Sequence, residues 1–245
     1  KEKKVEAVFS AGSTGATLLS AITILGKQKG VIRPAIASVL PTVQGSVILL
    51  DSGASLDVKA KVLFQFAVMG SKLAEALFDI DSPKIGLLNN GEEESKGREL
   101  EKSTYKLLNS SSLNFVGNVE GRDFANNKVD VYVTDGFTGN VVLKTLEGTA
   151  KLQQNLISES LKQNLFKPIL PSVKKALRPV KDQLNPDKTN ASYLLGVDGL
   201  VTIGHGSSRQ EAIKNGIKYT NDSINKDFIG KFSDAIKELW VIFQI

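Results

Sequence analysis

The stretch DGFTGNVVLK, residues 135–144, sets an acid, two glycines, an amide and a lysine around a turn that opens a helix. Glycine lets the backbone approach an oxyanion closely, and the free N–H groups of a helix start favour negative charge. Four other corners share this small, polar character: SAGSTGA (10–16), DSGAS (51–55), NNGEEESKG (89–97) and GHGSS (204–208). The candidate anion-binding residues are Ser10, Gly12, Ser13 and Thr14 in the first and Gly91 in the third. Asp135, Gly136, Thr138, Gly139 and Asn140 join them from the opening stretch, and Ser207 from the last. Each corner alone reads first as a capped strand-to-helix turn. Five together, expected at the carboxyl edge of one sheet, point to an anion-binding cleft. No Walker A sequence and no G-x-G-x-x-G fingerprint is present, so nucleotide binding is not indicated.

Lys144 follows Asn140 by one helical turn and shares its face. Its charge either reaches a phosphate held at the turn or stays solvated, the commoner fate of lysine. His205, the only histidine, sits between Gly204 and Gly206. Any imidazole acid–base step must use it, yet a lone loop histidine reads equally well as structural. No G-x-S-x-G elbow accompanies it, and multi-histidine metal sites are excluded by the count. The acidic run Glu92–Glu94 reads as a solvated loop, so no metal and no cofactor is expected. Asp51 and Asp135 end strands, where a carboxylate orients donors or caps the next turn.

The elements needed to position these corners alternate. Val5–Phe9, AIASVL (35–40), SVILLD (46–51), KIGLLNN (84–90), LNFVGNV and VDVYVTD read as strands. Helical spacing follows in GSTGATLLSAITILGKQKG, in an amphipathic VKAKVLFQFAVMGSKLAEALF, from about Lys96 to Asn109, and from near Gly139. YLLGVDGLVTIG reads as a hairpin, followed by a helix near Ser208–Thr220 and an amphipathic tail FIGKFSDAIKELWVIF. This alternation predicts an α/β fold with helices on both faces of a mixed sheet. The 245 residues suffice for one large α/β domain over 1–245. The abrupt start at KEKKVEAVFS, which lacks an initiator Met, suggests further sequence upstream.

Net charge is +5, carried mostly by scattered lysines rather than clustered arginine with aromatics, which argues against nucleic acid. There are no cysteines, which removes disulfides and thiol nucleophiles and fits a cytoplasmic protein. One segment departs from the even spread. LKQNLFKPILPSVKKALRPVKDQL (161–184) interleaves apolar and basic residues and is broken by prolines, within a basic excursion over 161–190. It suits a dimer contact, an anionic membrane surface or an acidic carrier protein.

Six stretches, SAGSTGA, RPAIASVLPT, LLNNGEEESKG, NFVGNVEGRD, DGFTGNVVLKTLEG and LLGVDGLVTIGHGSS, resemble in order and spacing the PlsX phosphate acyltransferases of bacterial phospholipid synthesis. The likeness runs from about Val5 to Ile217. The family's N-terminal segment with its Gly-Gly-Asp turn is absent. NASY (190–193) stands where the family commonly has Gly-Gly-Ala-Pro, and Ser13 where it favours Asn. The resemblance implies a three-layer sandwich with a mostly parallel mixed sheet, related to phosphotransacetylases and to isocitrate/isopropylmalate dehydrogenase-like enzymes. It implies acyl transfer from acyl-acyl carrier protein to inorganic phosphate by a homodimer. The acyl phosphate would pass to a membrane glycerol-3-phosphate acyltransferase, with the protein cytoplasmic or peripheral at the inner membrane face. Direct phosphate attack suits a chain without cysteine or serine elbow: Asn140 and Lys144 would hold phosphate and His205 would serve the carbonyl oxygen or leaving sulfur. The rivals are a phosphotransacetylase-like enzyme using acyl-coenzyme A and a non-catalytic acyl-carrier or membrane-binding protein.

Overall fold

The computed structural model describes residues 4–161, 170–183, 192–204 and 208–226, together with 230, 232–234 and 236. Eight strands form one mixed sheet: β1 (Ala7–Ser10), β2 (Ala35–Thr42), β3 (Gly45–Leu50), β4 (Ile85–Leu88), β5 (Phe115–Val119), β6 (Val131–Val133), β7 (Ser192–Leu195) and β8 (Leu200–Ile203), in the order β1-β8-β7-β2-β3-β6-β4-β5. The helices are α1 (Thr14–Ile24), α2 (Ala60–Phe78), α3 (Glu99–Asn109), α4 (Gly136–Leu161), α5 (Leu170–Gln183) and α6 (Gln210–Asn225), with a 3₁₀ turn at Gly121–Asn126.

Helices cover both faces, because alternation along each strand gives the sheet two apolar sides. On one side α2 packs against Ala37, Val39, Ile48 and Val131, backed by α3 and by Tyr219 and Ile224 of α6. The expected amphipathic α2 is in fact buried along most of its length, from Val62 through Ala76. The sheet covers it on one side and α3 and α6 on the other, and its close seating shows at Gly70, where a Cβ would lie 2.5 Å from a Val131 methyl. On the other side α4 lays Val142, Leu143 and Leu146 over Leu40, Leu49 and Tyr132. Beside it, α1 lays Leu18, Ala21, Ile22 and Leu25 over Ile36, Leu194, Val201 and Ile203.

The sheet's directions overturn one expectation. β1 and β8 are parallel, and β3, β6, β4 and β5 are parallel among themselves. The antiparallel pairs β8–β7, β7–β2 and β2–β3 turn the second set against the first. The glycine-rich corners therefore do not share one carboxyl edge. Those after β1 and β8 arrive from one direction, and those after β3 and β6 from the other. They still meet, because Ile203 of β8 pairs with Ser192, and Leu50 of β3 pairs with Ala37 beside Ser38. The two sets of strands end on the same line across the middle of the sheet. Strand-by-strand reading cannot see this, since direction is decided by pairing partners up to 193 residues apart (Ala7 with Leu200).

Candidate active site

Asp51 follows the last residue of β3 and is fully buried. Its carboxylate accepts the N–H groups of Ile36 at 3.0 Å, Gly53 at 3.1 Å, Ala54 at 3.0 Å and Ser55 at 2.7 Å. Burial pushes this carboxyl above its ordinary value, while those four donors pull the other way. The amides of the DSGAS turn are thus spent on the chain's own acid and are not offered to a ligand. The acid locks the turn that presents Ser52 and Gly53.

Asp135 does the same at α4. Its carboxylate accepts from the Thr138 N–H at 2.7 Å and the Thr138 hydroxyl at 3.1 Å, capping the helix start. That cap starts α4 at Gly136, one turn ahead of the expected Gly139. The Arg98 guanidinium bridges Asp135 and Glu101 at 2.5 Å each, joining the third corner to the fourth; those two carboxylates raise its already high pKa further. Gly136 and Gly139 are buried under this junction. A Cβ on Gly139 would lie 1.9 Å from the Asp51 carbonyl oxygen, so glycine here admits backbone against backbone.

A cleft of about 340 Å³ opens beside that junction on the α1/α4 side. It brings together Thr14 from the first corner, Ser52 and Gly53 from the second, Asn140 and Lys144 from the fourth, and Gly204 from the fifth. Asn140, Leu143, Lys144 and Glu147 line it as one face of α4, at the spacing of successive helical turns. The Lys144 ammonium lies 2.9 Å from Glu147, so a bound anion would compete with that carboxylate for the charge.

The other described residues expected at the site are not part of this cleft's lining. Ser10 bonds Thr17 through its hydroxyl at 2.9 Å, and its carbonyl accepts the Gly204 N–H at 2.8 Å, tying the first corner to the fifth. The Gly12 N–H donates to the Ser10 hydroxyl, and Ser13 caps α1 by accepting from Ala16. Gly91 belongs to a loop closed on itself by the Asn89 side chain donating to the Lys96 carbonyl, and Glu92 of the acidic run pairs with Lys128. Among the described residues no group of acidic or histidine side chains could hold a metal ion. His205 and Ser207 lie outside the described residues.

Two lining serines fall outside every corner singled out in the sequence, Ser38 and Ser192, and they join Ser52 of the second corner. Their hydroxyls form a chain, Ser192 to Ser38 at 3.0 Å and Ser38 to Ser52 at 2.7 Å, and Ser52 donates to the Ile36 carbonyl at 3.0 Å. The one available signal was a small polar residue inside an otherwise apolar strand, at Ser38 in AIASVL. The assembled site offers neutral hydroxyls, one amide and one lysine, with the Glu147 carboxylate beside the lysine, around a pocket with apolar walls. Such donors can hold an anion and stabilise charge on oxygen, and nothing among them is a strong nucleophile.

The sequence profile of the fatty acid synthesis protein family matches residues 1–231. A protein named phosphate acyltransferase from Elusimicrobium minutum is 42% identical over 252 residues, covering all of this chain and 72% of that relative. Among solved structures, the EutD phosphotransacetylase from Staphylococcus aureus superposes with a TM-score of 0.56 at 15% identity, over 90% of this chain and 63% of that one. A branched-chain phosphotransacylase from Enterococcus faecalis gives 0.57 at 14% identity, over 90% of this chain and 74% of that one. These structures share the fold expected from sequence, a mixed and mostly parallel sheet between two helical layers. The chain belongs to the fatty acid synthesis protein family and is, by that kinship, an acyltransferase that uses phosphate.

Proposed function

We propose that the chain transfers a fatty acyl group from acyl-acyl carrier protein to inorganic phosphate, releasing acyl phosphate and the carrier thiol. The observation that carries this reading is the convergence of Thr14, Asn140 and Lys144 on one cleft. Phosphate dianion sits against Asn140 and Lys144, drawing the ammonium from Glu147. One of its oxygens attacks the thioester carbonyl carbon, and the carbonyl electron pair moves onto oxygen. The tetrahedral oxyanion collapses, the carbon–sulfur bond breaks, and the sulfur leaves with the proton originally carried by phosphate. His205, which follows the cleft residue Gly204, hydrogen-bonds the carbonyl oxygen or the leaving sulfur. Ser10, Gly12, Ser13, Gly91, Asp135, Gly136, Thr138, Gly139 and Ser207 complete the proposed phosphate and substrate site. Ser10, Ser13 and Asp135 serve it by holding the turns that carry the lining residues.

We assign the work of Lys144 to phosphate affinity and that of His205 to the chemical step. Phosphate-dependent release of thiol from acyl-carrier protein, with hydroxylamine trapping of the acyl phosphate, tests the reading. Lys144→Ala is expected to raise the KM for phosphate, and His205→Ala to lower single-turnover rate about 10²- to 10³-fold. Turnover of acyl-coenzyme A in preference to acyl-carrier protein would replace the donor, and no phosphate-dependent thiol release from either would remove the reading.

The same proposal includes a single domain over 1–245 that pairs as a homodimer, acting in the cytoplasm or at the inner membrane face and handing acyl phosphate to a membrane glycerol-3-phosphate acyltransferase. What supports a dimer is the outer half of α4, which exposes Leu152, Leu156 and Ile157. The basic excursion over 161–190 serves the partner subunit, the carrier or an anionic membrane. Within it α5 is described, and it touches the end of β2 through Gln183, whose amide donates to the Thr42 carbonyl. Among the described residues no helix is long and apolar enough to cross a membrane.

A further inference from the structure

The cleft is chemically two-ended. Near β7 its floor is the hydroxyl chain of Ser192, Ser38 and Ser52, close to Gly53 and Asn140. Two residues further along β2, on the same strand face, the floor becomes Leu40. There α4 opposes it with Leu143, one turn beyond Asn140. Both leucines also belong to the apolar cluster under α4, where Leu40 is buried and Leu143 only partly so.

These two ends suit different parts of a thioester. Methylenes laid over the serine chain would take the half-buried Ser192 hydroxyl from water and give it no new partner. Methylenes laid between Leu40 and Leu143 leave water for an apolar wall, a gain of about fourfold in affinity for each one buried. Phosphate and the reacting carbonyl find their donors at Asn140 and Thr14, and at Lys144, which enters from the same turn of α4 as Leu143.

We propose that the acyl chain runs from the Asn140 end across Leu40 and Leu143, away from the serine floor, and that Leu143 is the residue that sets which chains fit. The proposal rests on the acyl-transfer reading above and deepens it by orienting the substrate. Because the cleft holds about 340 Å³, bulk added at Leu143 comes directly out of the room for the chain.

The test compares the parent with Leu143→Phe and Leu143→Ala across a thioester series from octanoyl to stearoyl, with one methyl-branched chain. In Leu143→Phe, kcat/KM is expected to fall about tenfold more for palmitoyl than for octanoyl. In Leu143→Ala the branched chain is expected to gain on the straight one. Ser192→Ala should change every chain by the same factor. Each comparison is a ratio within one variant, so a loss of folded fraction cancels. Chain-length profiles of both Leu143 variants that superimpose on the parent's would overturn the proposal, as would a chain-length-dependent effect of Ser192→Ala.

Calorimetric titration with the free fatty acids of the same series reads the subsite without turnover. Affinity that rises with length in the parent and less steeply in Leu143→Phe supports the proposal. Equal slopes, or no length dependence in the parent, overturn it. An inactive parent that binds fatty acids in this graded way would sink the acyl-transfer reading and leave the subsite standing.

Discussion

Gly139 and Gly148 lie on the same helix, and a methyl group added at each meets opposite fates. At Gly139 it would strike the Asp51 carbonyl oxygen at 1.9 Å, whereas at Gly148 nothing lies within 4 Å. Gly139→Ala is therefore expected to lose at least about 1–3 kcal/mol of stability through overpacking, with a raised phosphate KM as α4 is pushed off the turn. Gly148→Ala is expected to gain about 0.5–1 kcal/mol, because helical glycine wastes backbone entropy without serving a contact. Denaturant melts of the two variants beside the parent check both signs. The same neighbourhood shows what sequence could reveal. Asn140, Lys144 and Thr14 were legible because polar side chains next to glycine corners are visible one stretch at a time. The tasks of the glycines and aspartates were not, because a turn whose amides serve its own carboxylate looks like one whose amides await an anion. Only the three-dimensional partners of Asp51 separate the cases. Ser38 and Ser192 were hidden for a different reason: a short hydroxyl fits strand alternation without disturbing it.

Between elements, two contacts fix the frame of the cleft. Arg98 joins the start of α3 to the cap of α4 through Glu101 and Asp135, both buried, yet its own side chain is 60% exposed. Solvent screening holds the worth of such a bridge down, so Arg98→Ala should cost about 1 kcal/mol in a denaturant titration, despite the short distances. The second contact sits at the far edge of the sheet, where Gly216 of α6 admits the Phe9 ring of β1; a Cβ there would lie 2.2 Å from it. Gly216→Ala is expected to lower Tm, and adding Phe9→Leu should restore part of the loss, a coupling that two independent sites would not show. Element types along the described chain were readable from hydrophobic period. Their mutual directions were not. The β2–β3 hairpin was foreseeable from its short PTVQG link, because so brief a connection leaves no room for a crossover. The reversal that brings β8 and β3 to the same line depends on β7 inserting between β8 and β2, an arrangement no local pattern encodes.

For the molecule as a whole, the outer part of α4 is out of keeping with a solvated helix. Leu152 and Leu156 are 57% and 59% exposed and lie one turn apart. Under the proposed homodimer this stripe is covered by its copy, so Leu152→Glu with Leu156→Glu is expected to convert a dimer to a monomer in sedimentation equilibrium. A dimer that survives both charges would place the subunit contact elsewhere. Timing is another property of the whole. The cleft walls come from residues as far apart as Thr14 and Gly204, and β1 acquires its neighbour only when β8 is in place. Loop closure over such separations is slow compared with local helix formation. A chain still emerging from the ribosome therefore has Asn140 and Lys144 long before it has anywhere to put an acyl group, because the cleft is complete only when β7 and β8 take their places.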